Sequence, residues 1–130
     1  GRFAIINVWR NIQATPVMTH PLALCDGQDV EPEDLVVFEI HMPDRVGENY
    51  WSKYDARHTF YCYPQMQNSE ALLIKQWDSA GGLATSNGER ADHAASGPCT
   101  FSFHSAFHDL QTPDDAPDRW SIEVRCVVLY

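Results

Sequence analysis

The sequence predicts an all-β fold, mainly antiparallel and with little helix: a sandwich, a jelly roll or a partial barrel. Three observations predict it. Every strongly apolar segment is short, and most are rich in β-branched and aromatic residues. Nearly every one is closed by Pro, Gly or an Asp-Gly turn. The spaces between them are too tight for the crossover helices that parallel strands require.

The elements follow in order. Phe3-Ala4-Ile5-Ile6-Asn7-Val8-Trp9 reads as a buried strand, and Leu22-Ala23-Leu24-Cys25 as a short one between Pro21 and the Asp26-Gly27 turn. Pro32-Glu33-Asp34 predicts one helical turn before a third strand at residues 35–41. Pro43, Gly47 and Asn49 predict a loop after it. Residues 58–63 form a strand that Pro64 stops. Residues 70–77 have the composition of a helix, which Ser69 could cap. Their length and flanking turns fit a buried strand, and the strand is the expectation. Residues 80–98 are rich in Ala, Gly and Ser without an apolar period, which predicts a long flexible loop. A short strand at residues 100–104, an acidic loop between Pro113 and Pro117, and a final strand at residues 120–130 complete six or seven strands. There is no internal repeat, and 130 residues allow a single domain.

Charge and composition narrow the function. Nine basic against 18 acidic residues give a net charge of −9. That disfavours nucleic acids and anionic membranes, which reward Lys/Arg patches. With 44% hydrophobic and 12% aromatic residues the chain can build a core, so it is not a disordered acidic tail. No apolar run is long enough to span a bilayer. No secretory signal is visible, so a cytoplasmic location is expected. The abrupt opening on an apolar strand suggests that Gly1 is an internal cut or that an N-terminal portion has been lost. Cys25, Cys62, Cys99 and Cys126 form no CxxC pair, which excludes a zinc ribbon or a thioredoxin-like motif. An even count permits disulfides; buried free thiols are the expectation, since Cys25, Cys62 and Cys126 lie in apolar stretches.

One constellation carries chemistry. Arg119 and Ser121 share a face if both lie in a strand. An Arg fork with a neighbouring hydroxyl suits a carboxylate. His104, fifteen residues earlier, could hold a metal beside it. Around this core stand Phe3-Ala4-Ile5-Ile6-Asn7-Val8-Trp9-Arg10, Pro21-Leu22-Ala23-Leu24-Cys25-Asp26, Asp34-Leu35-Val36, Pro43-Asp44-Arg45, Ala71-Leu72-Leu73-Ile74-Lys75, Asp78-Ser79, His104-Ser105-Ala106-Phe107 and Ser121-Ile122-Glu123-Val124-Arg125, in that order. The string resembles the second half of the fungal and bacterial hydroxylase/desaturase family that includes cephalosporin 7α-methoxylase components and gibberellin desaturase-like proteins. The resemblance covers nearly the whole chain. It implies a double-stranded β-helix of the jelly-roll/cupin-like type. It also implies iron(II) and 2-oxoglutarate as cofactors, and hydroxylation or desaturation of a small-molecule metabolite. On this resemblance His104 is an iron ligand, and Arg119 and Ser121 grip the co-substrate. Asn7, Trp9 and Arg10 line the substrate. Arg125, on the face of Arg119 and Ser121, reads first as an ion-pair partner of Glu123 and second as a co-substrate contact.

The chain departs from the family's pattern in three places. It holds no His-x-Asp or His-x-Glu, so it supplies at most one of the three ligands of a facial triad. The expected Trp-Arg-Pro reads Trp9-Arg10-Asn11. The link before His104 is lengthened by residues 80–98. A truncated oxygenase, inactive alone, is therefore one expectation, and a non-catalytic β-sandwich binding module is its rival. A cupin-like metal protein would need His41 and His58 to converge on His104. His20, His41, His58 and His93 otherwise read as structural or surface residues, Trp9, Trp51, Trp77 and Trp120 as packing, and Lys75 as solvated. An uncovered sheet face around residues 3–9 is expected to drive self-association.

Overall fold

A computed structural model of the chain describes residues 1–81 and 99–130. Most of the loop predicted at 80–98 therefore lies outside the described residues. The described residues form eight strands: β1 (Phe3–Asn11), β2 (Leu22–Cys25), β3 (Leu35–Met42), β4 (Arg45–Ser52), β5 (Phe60–Cys62), β6 (Leu72–Asp78), β7 (His104–Ala106) and β8 (Ser121–Leu129). Every pairing is antiparallel. Among the described residues helix is confined to two 3₁₀ turns, Gly27–Asp29 and Pro32–Asp34. The all-β, antiparallel prediction and the helical turn at Pro32 are thus both met.

The strands form a major sheet ordered β6-β1-β8, a minor sheet ordered β5-β2-β7, and the hairpin β3-β4. In β1 the period of two puts Asn7 and Trp9 on the face that also carries Ile74 of β6. Trp9, Val17, Met66 and Ile74 make one core, against which Leu22 and Leu24 of the minor sheet pack. A second core joins Cys25, Val30, Leu35, Cys99 and Phe101 at the base of the hairpin, with Val37, Tyr50 and Phe103 against it.

Two buried carboxylates tie these layers together. Asp34 accepts from Glu31 N (2.9 Å), Arg57 Nη2 (2.5 Å) and His58 Nε2 (2.9 Å), and its carbonyl receives Lys53 N (2.7 Å) at the end of β4. Asp78 takes two bonds from Arg2, at 3.0 and 2.6 Å, and one each from Lys75 Nζ (3.1 Å) and Ala80 N (3.0 Å).

Several expectations need correction. The loop predicted after residue 42 is only the turn Pro43-Asp44; Arg45–Ser52 pairs residue for residue with β3, and Gly47 sits opposite Ile40. The strand expected at 100–104 begins at His104. Before it, single backbone bonds such as Ser102 N to Lys75 O (3.1 Å) replace a ladder. Lys75 is not merely solvated, because Asp78 holds it. All four cysteines are free, but Cys62 is exposed and Cys126 half-buried. Burial pushes the Cys25 and Cys99 thiols up, which keeps them protonated and inert. β1 is the middle strand of its sheet, and apart from Phe3 (38%) the uncovered apolar surface lies on its ladder neighbours, Leu73 of β6 (70%) and Val127 (66%) and Leu129 (81%) of β8.

Candidate functional site

Between the major sheet and the β3-β4 hairpin lies a cavity of about 830 Å³. Phe3, Ile5, Gln76, Trp77 and Arg125 line it from the major sheet, residues 48–52 from the hairpin, and residues 101–105 from the chain entering β7. It brings His104 and Arg125 together.

His104 is half-buried and sits opposite Leu24 in the minor sheet. Its Nδ1 lies 3.2 Å from the Ser102 carbonyl. A carbonyl can only accept, so Nδ1 carries a hydrogen, which in the neutral ring leaves the lone pair on Nε2. This is the arrangement that orients a metal-ligating imidazole.

Arg125 stands opposite Asn7 in the β1-β8 ladder. Its Nε donates to Asn7 Oδ1 at 3.2 Å. The Asn7 amide nitrogen in turn donates to the Glu123 carboxylate. Asn7 is only 2% exposed, so the amide is fixed by a donor on one side and an acceptor on the other. The ion pair expected between Arg125 and Glu123 is therefore replaced by a bridge, and Asn7 lies beneath Arg125 rather than at a pocket mouth.

The other named residues lie elsewhere. Arg119 precedes β8 by two residues, so strand periodicity does not govern its direction. It donates to the His20 carbonyl, and its guanidinium carbon lies 5.6 Å from the centre of the Trp9 ring. Ser121 opens β8 opposite Asn11. Neither lines the cavity. Trp9, 3% exposed, is core, and Arg10 is exposed and donates to the Asn68 carbonyl. His58 is held by Asp34 and His41 by Glu39 at 2.8 Å, so neither converges on His104. His20 lies beside His108, ring centres 6.3 Å apart, and His93 is outside the described residues.

Among the described residues no group of three or more His, Cys, Asp and Glu side chains could hold a metal ion. His104 alone is one ligand, so these residues do not make an iron site by themselves. A carboxylate fits better: among the described residues Arg125 forms no salt bridge, although Glu48 also lines the cavity.

Sequence reasoning missed Gln76. Ile5 pairs with Trp77 and Ile6 with Lys75, which leaves Gln76 as the extra residue of a β-bulge. No periodicity in the sequence announces this irregularity.

A family model described as an oxidoreductase/YMDC permease-like domain matches residues 1–129. The hydroxylase/desaturase poxK of Penicillium oxalicum (strain 114-2 / CGMCC 5302) is 33% identical over 150 residues, covering 98% of this chain and 42% of its own. Aspirochlorine biosynthesis protein N of Aspergillus oryzae is 33% identical over 132 residues, covering 100% and 49%. The solved structure of the iron and alpha-ketoglutarate-dependent endoperoxidase NvfI matches with a TM-score of 0.77 and 27% identity, over 97% of this chain and 42% of that one. The chain spans less than half the length of these relatives. Among the described residues no helix is long and apolar enough to cross a membrane.

Proposed function

The chain belongs to this oxidoreductase family, whose matched relatives are fungal hydroxylase/desaturases and iron(II)/2-oxoglutarate-dependent oxygenases, and from that membership we propose that it forms the co-substrate half of such an enzyme's site. The reaction would be hydroxylation or desaturation of a small-molecule metabolite, carried out in the cytoplasm. The supporting observation is that His104 and Arg125 line one cavity, with the free imidazole nitrogen of one and the guanidinium of the other. His104 would occupy one iron position. Arg125 would hold the far carboxylate of 2-oxoglutarate, with Arg119 and Ser121 as the alternative anchor that the resemblance favours. Iron, when bound, would supply the oxygen chemistry; the residues of this chain orient the co-substrate and wall off water. Because the chain brings one ligand of three, we infer that it does not turn over alone. Among the described residues β8 pairs with β1 alone, and its other edge would seat a second copy of the chain, since an unpaired, apolar strand edge invites strand addition.

Titration with 2-oxoglutarate, followed by NMR chemical shifts, tests the reading. Without iron the affinity should be on the order of millimolar. Arg125→Lys should weaken it, because a point charge cannot reproduce the planar fork, and Arg119→Lys should leave it unchanged. Loss in Arg119→Lys alone would move the anchor to Arg119 and Ser121. No saturable response in the unmodified protein would remove the co-substrate site.

A further inference from the structure

The backbone of β8 has one side spent and one side open. Tyr130 N donates to Arg2 O and Ile12 N to Trp120 O, just beyond the two ends of the β1-β8 ladder, which runs between them without a register shift. Bonded pairs alternate in an antiparallel ladder, so the even-numbered residues of β8 turn their N–H and C=O groups to β1. The odd-numbered ones, from Ser121 to Leu129, turn theirs the other way, and among the described residues no strand takes them. Two of these, Glu123 and Arg125, are exposed and keep charge in reserve. Arg125 engages only its Nε and Glu123 only one carboxylate oxygen, both on Asn7.

We propose that two copies of the chain pair antiparallel through these edges in the register centred on Val124, so that Glu123 of each copy meets Arg125 of the other. Charge selects the register. Two identical antiparallel strands related by a two-fold axis set residues equally far from the centre opposite each other. A centre on Glu123 or Arg125 brings like charges face to face, which is destabilising. A centre on Ile122 or Cys126 leaves the two charges unmatched. A centre on Val124 matches them twice, at positions whose backbone groups face the open edge. It also lays Val124 on its own copy and Ile122 on Cys126, which covers exposed apolar side chains on the outer face. The effect reaches the cavity, because Arg125 lines it. The second copy supplies a carboxylate to Arg125 and competes with a carboxylate ligand for the same guanidinium. The inference rests on reading the β8 edge as the seat of a second copy and Arg125 as a co-substrate anchor.

Sedimentation of the unmodified chain should show a concentration-dependent equilibrium between monomer and dimer. Val124→Cys should oxidise to a dimer linked through the two substituted positions, since residues facing each other at a non-bonded antiparallel pair lie about 4.5 Å apart at Cα, within disulfide reach. Glu123→Arg and Arg125→Glu should each be monomeric at concentrations where the unmodified chain is dimeric. A one-to-one mixture of the two should dimerise again, because each variant then meets only opposite charges. That rescue separates lost pairing from lost folding. 2-Oxoglutarate at three times its own dissociation constant should raise that of the dimer about sixteenfold, fourfold for each copy that must release Arg125. A monomer at every concentration, a mixture no more associated than its parts, or a dimer that binds 2-oxoglutarate without weakening would each overturn the proposal. Loss of the 2-oxoglutarate response with the charge-swap rescue intact would count against the oxygenase reading alone, and monomers that bind 2-oxoglutarate against the interface alone.

Discussion

Asp34→Ala should cost about 3 kcal/mol of stability. The figure comes from what the substitution strands. Glu31 N, in a part-buried bond, and His58 Nε2, on a side chain only 4% exposed, both lose their acceptor. Each buried, unpaired donor costs ~1–3 kcal/mol, so two in the lower half of that range, at about 1.5 each, give about 3. Arg57 adds little, because its side chain is 40% exposed and keeps Asp55 at 2.8 Å. At roughly 4 °C per kcal/mol for a domain of this size, Tm should fall by about 12 °C. Urea and thermal unfolding followed by circular dichroism at neutral pH would measure it. The pH dependence gives a second reading. Burial alone would raise the Asp34 carboxyl, but the Glu31 N–H, His58 and Arg57 outweigh it and hold the pKa at about 2, below the ordinary 3.8. A depressed carboxyl contributes stability that is present above its unfolded pKa and lost as pH falls through its folded one. The gap between the unmodified protein and Asp34→Ala should therefore be full at pH 5 and above and shrink between about pH 4 and pH 2. Because Lys53 N bonds the Asp34 carbonyl, the hairpin wall of the cavity should loosen with it. A loss under 1 kcal/mol, or a gap that is constant down to pH 2, would refute the reasoning.

Three further outcomes follow from the same structure. Asp78 is held well below the usual carboxylate range, first by its bonds from Arg2, so Arg2→Gln should lower Tm and make acid unfolding begin at a higher pH; an unchanged acid midpoint would count against the pair. Val124→Lys, on the exposed edge strand, should reduce any concentration-dependent mass in sedimentation, and a protein monomeric at every concentration before the change would contradict the β8 interface. Titration of the chain with cobalt(II) should show no stoichiometric tight site, since one imidazole cannot outcompete water; sub-micromolar binding that depends on His104 would refute this.

The strands whose apolar pattern was local were legible in the sequence. The β1, β2, β3 and β8 segments needed only short apolar runs and turn residues to be placed within two residues of their ends. β4 was hidden because Gly47 and Asn49 look like punctuation; in the hairpin Gly47 pairs across from Ile40, and the true stop is Pro43-Asp44. At the site, His104 and Arg125 were named from the sequence, but their meeting in one cavity was not visible, because it depends on how two sheets and a hairpin are layered. Asn7 was named for the wrong reason, since a residue opposite Arg125 is fixed by ladder register rather than by sequence distance. Gln76 had no signal at all: a bulge is a property of a pairing, not of either strand.

The Asn7 bridge has an electrical consequence. Glu123 and Arg125 stand two residues apart on β8, and a neutral amide bridges them, donating to the first and accepting from the second. It works as an insulator between opposite poles. The strand then presents a standing dipole, with its positive end open to an incoming anion and its negative end already occupied. Asn7→Leu would remove the spacer and let the poles collapse onto each other, quenching the cation without touching it. One uncharged side chain on the neighbouring strand thereby sets how much charge the cavity can offer.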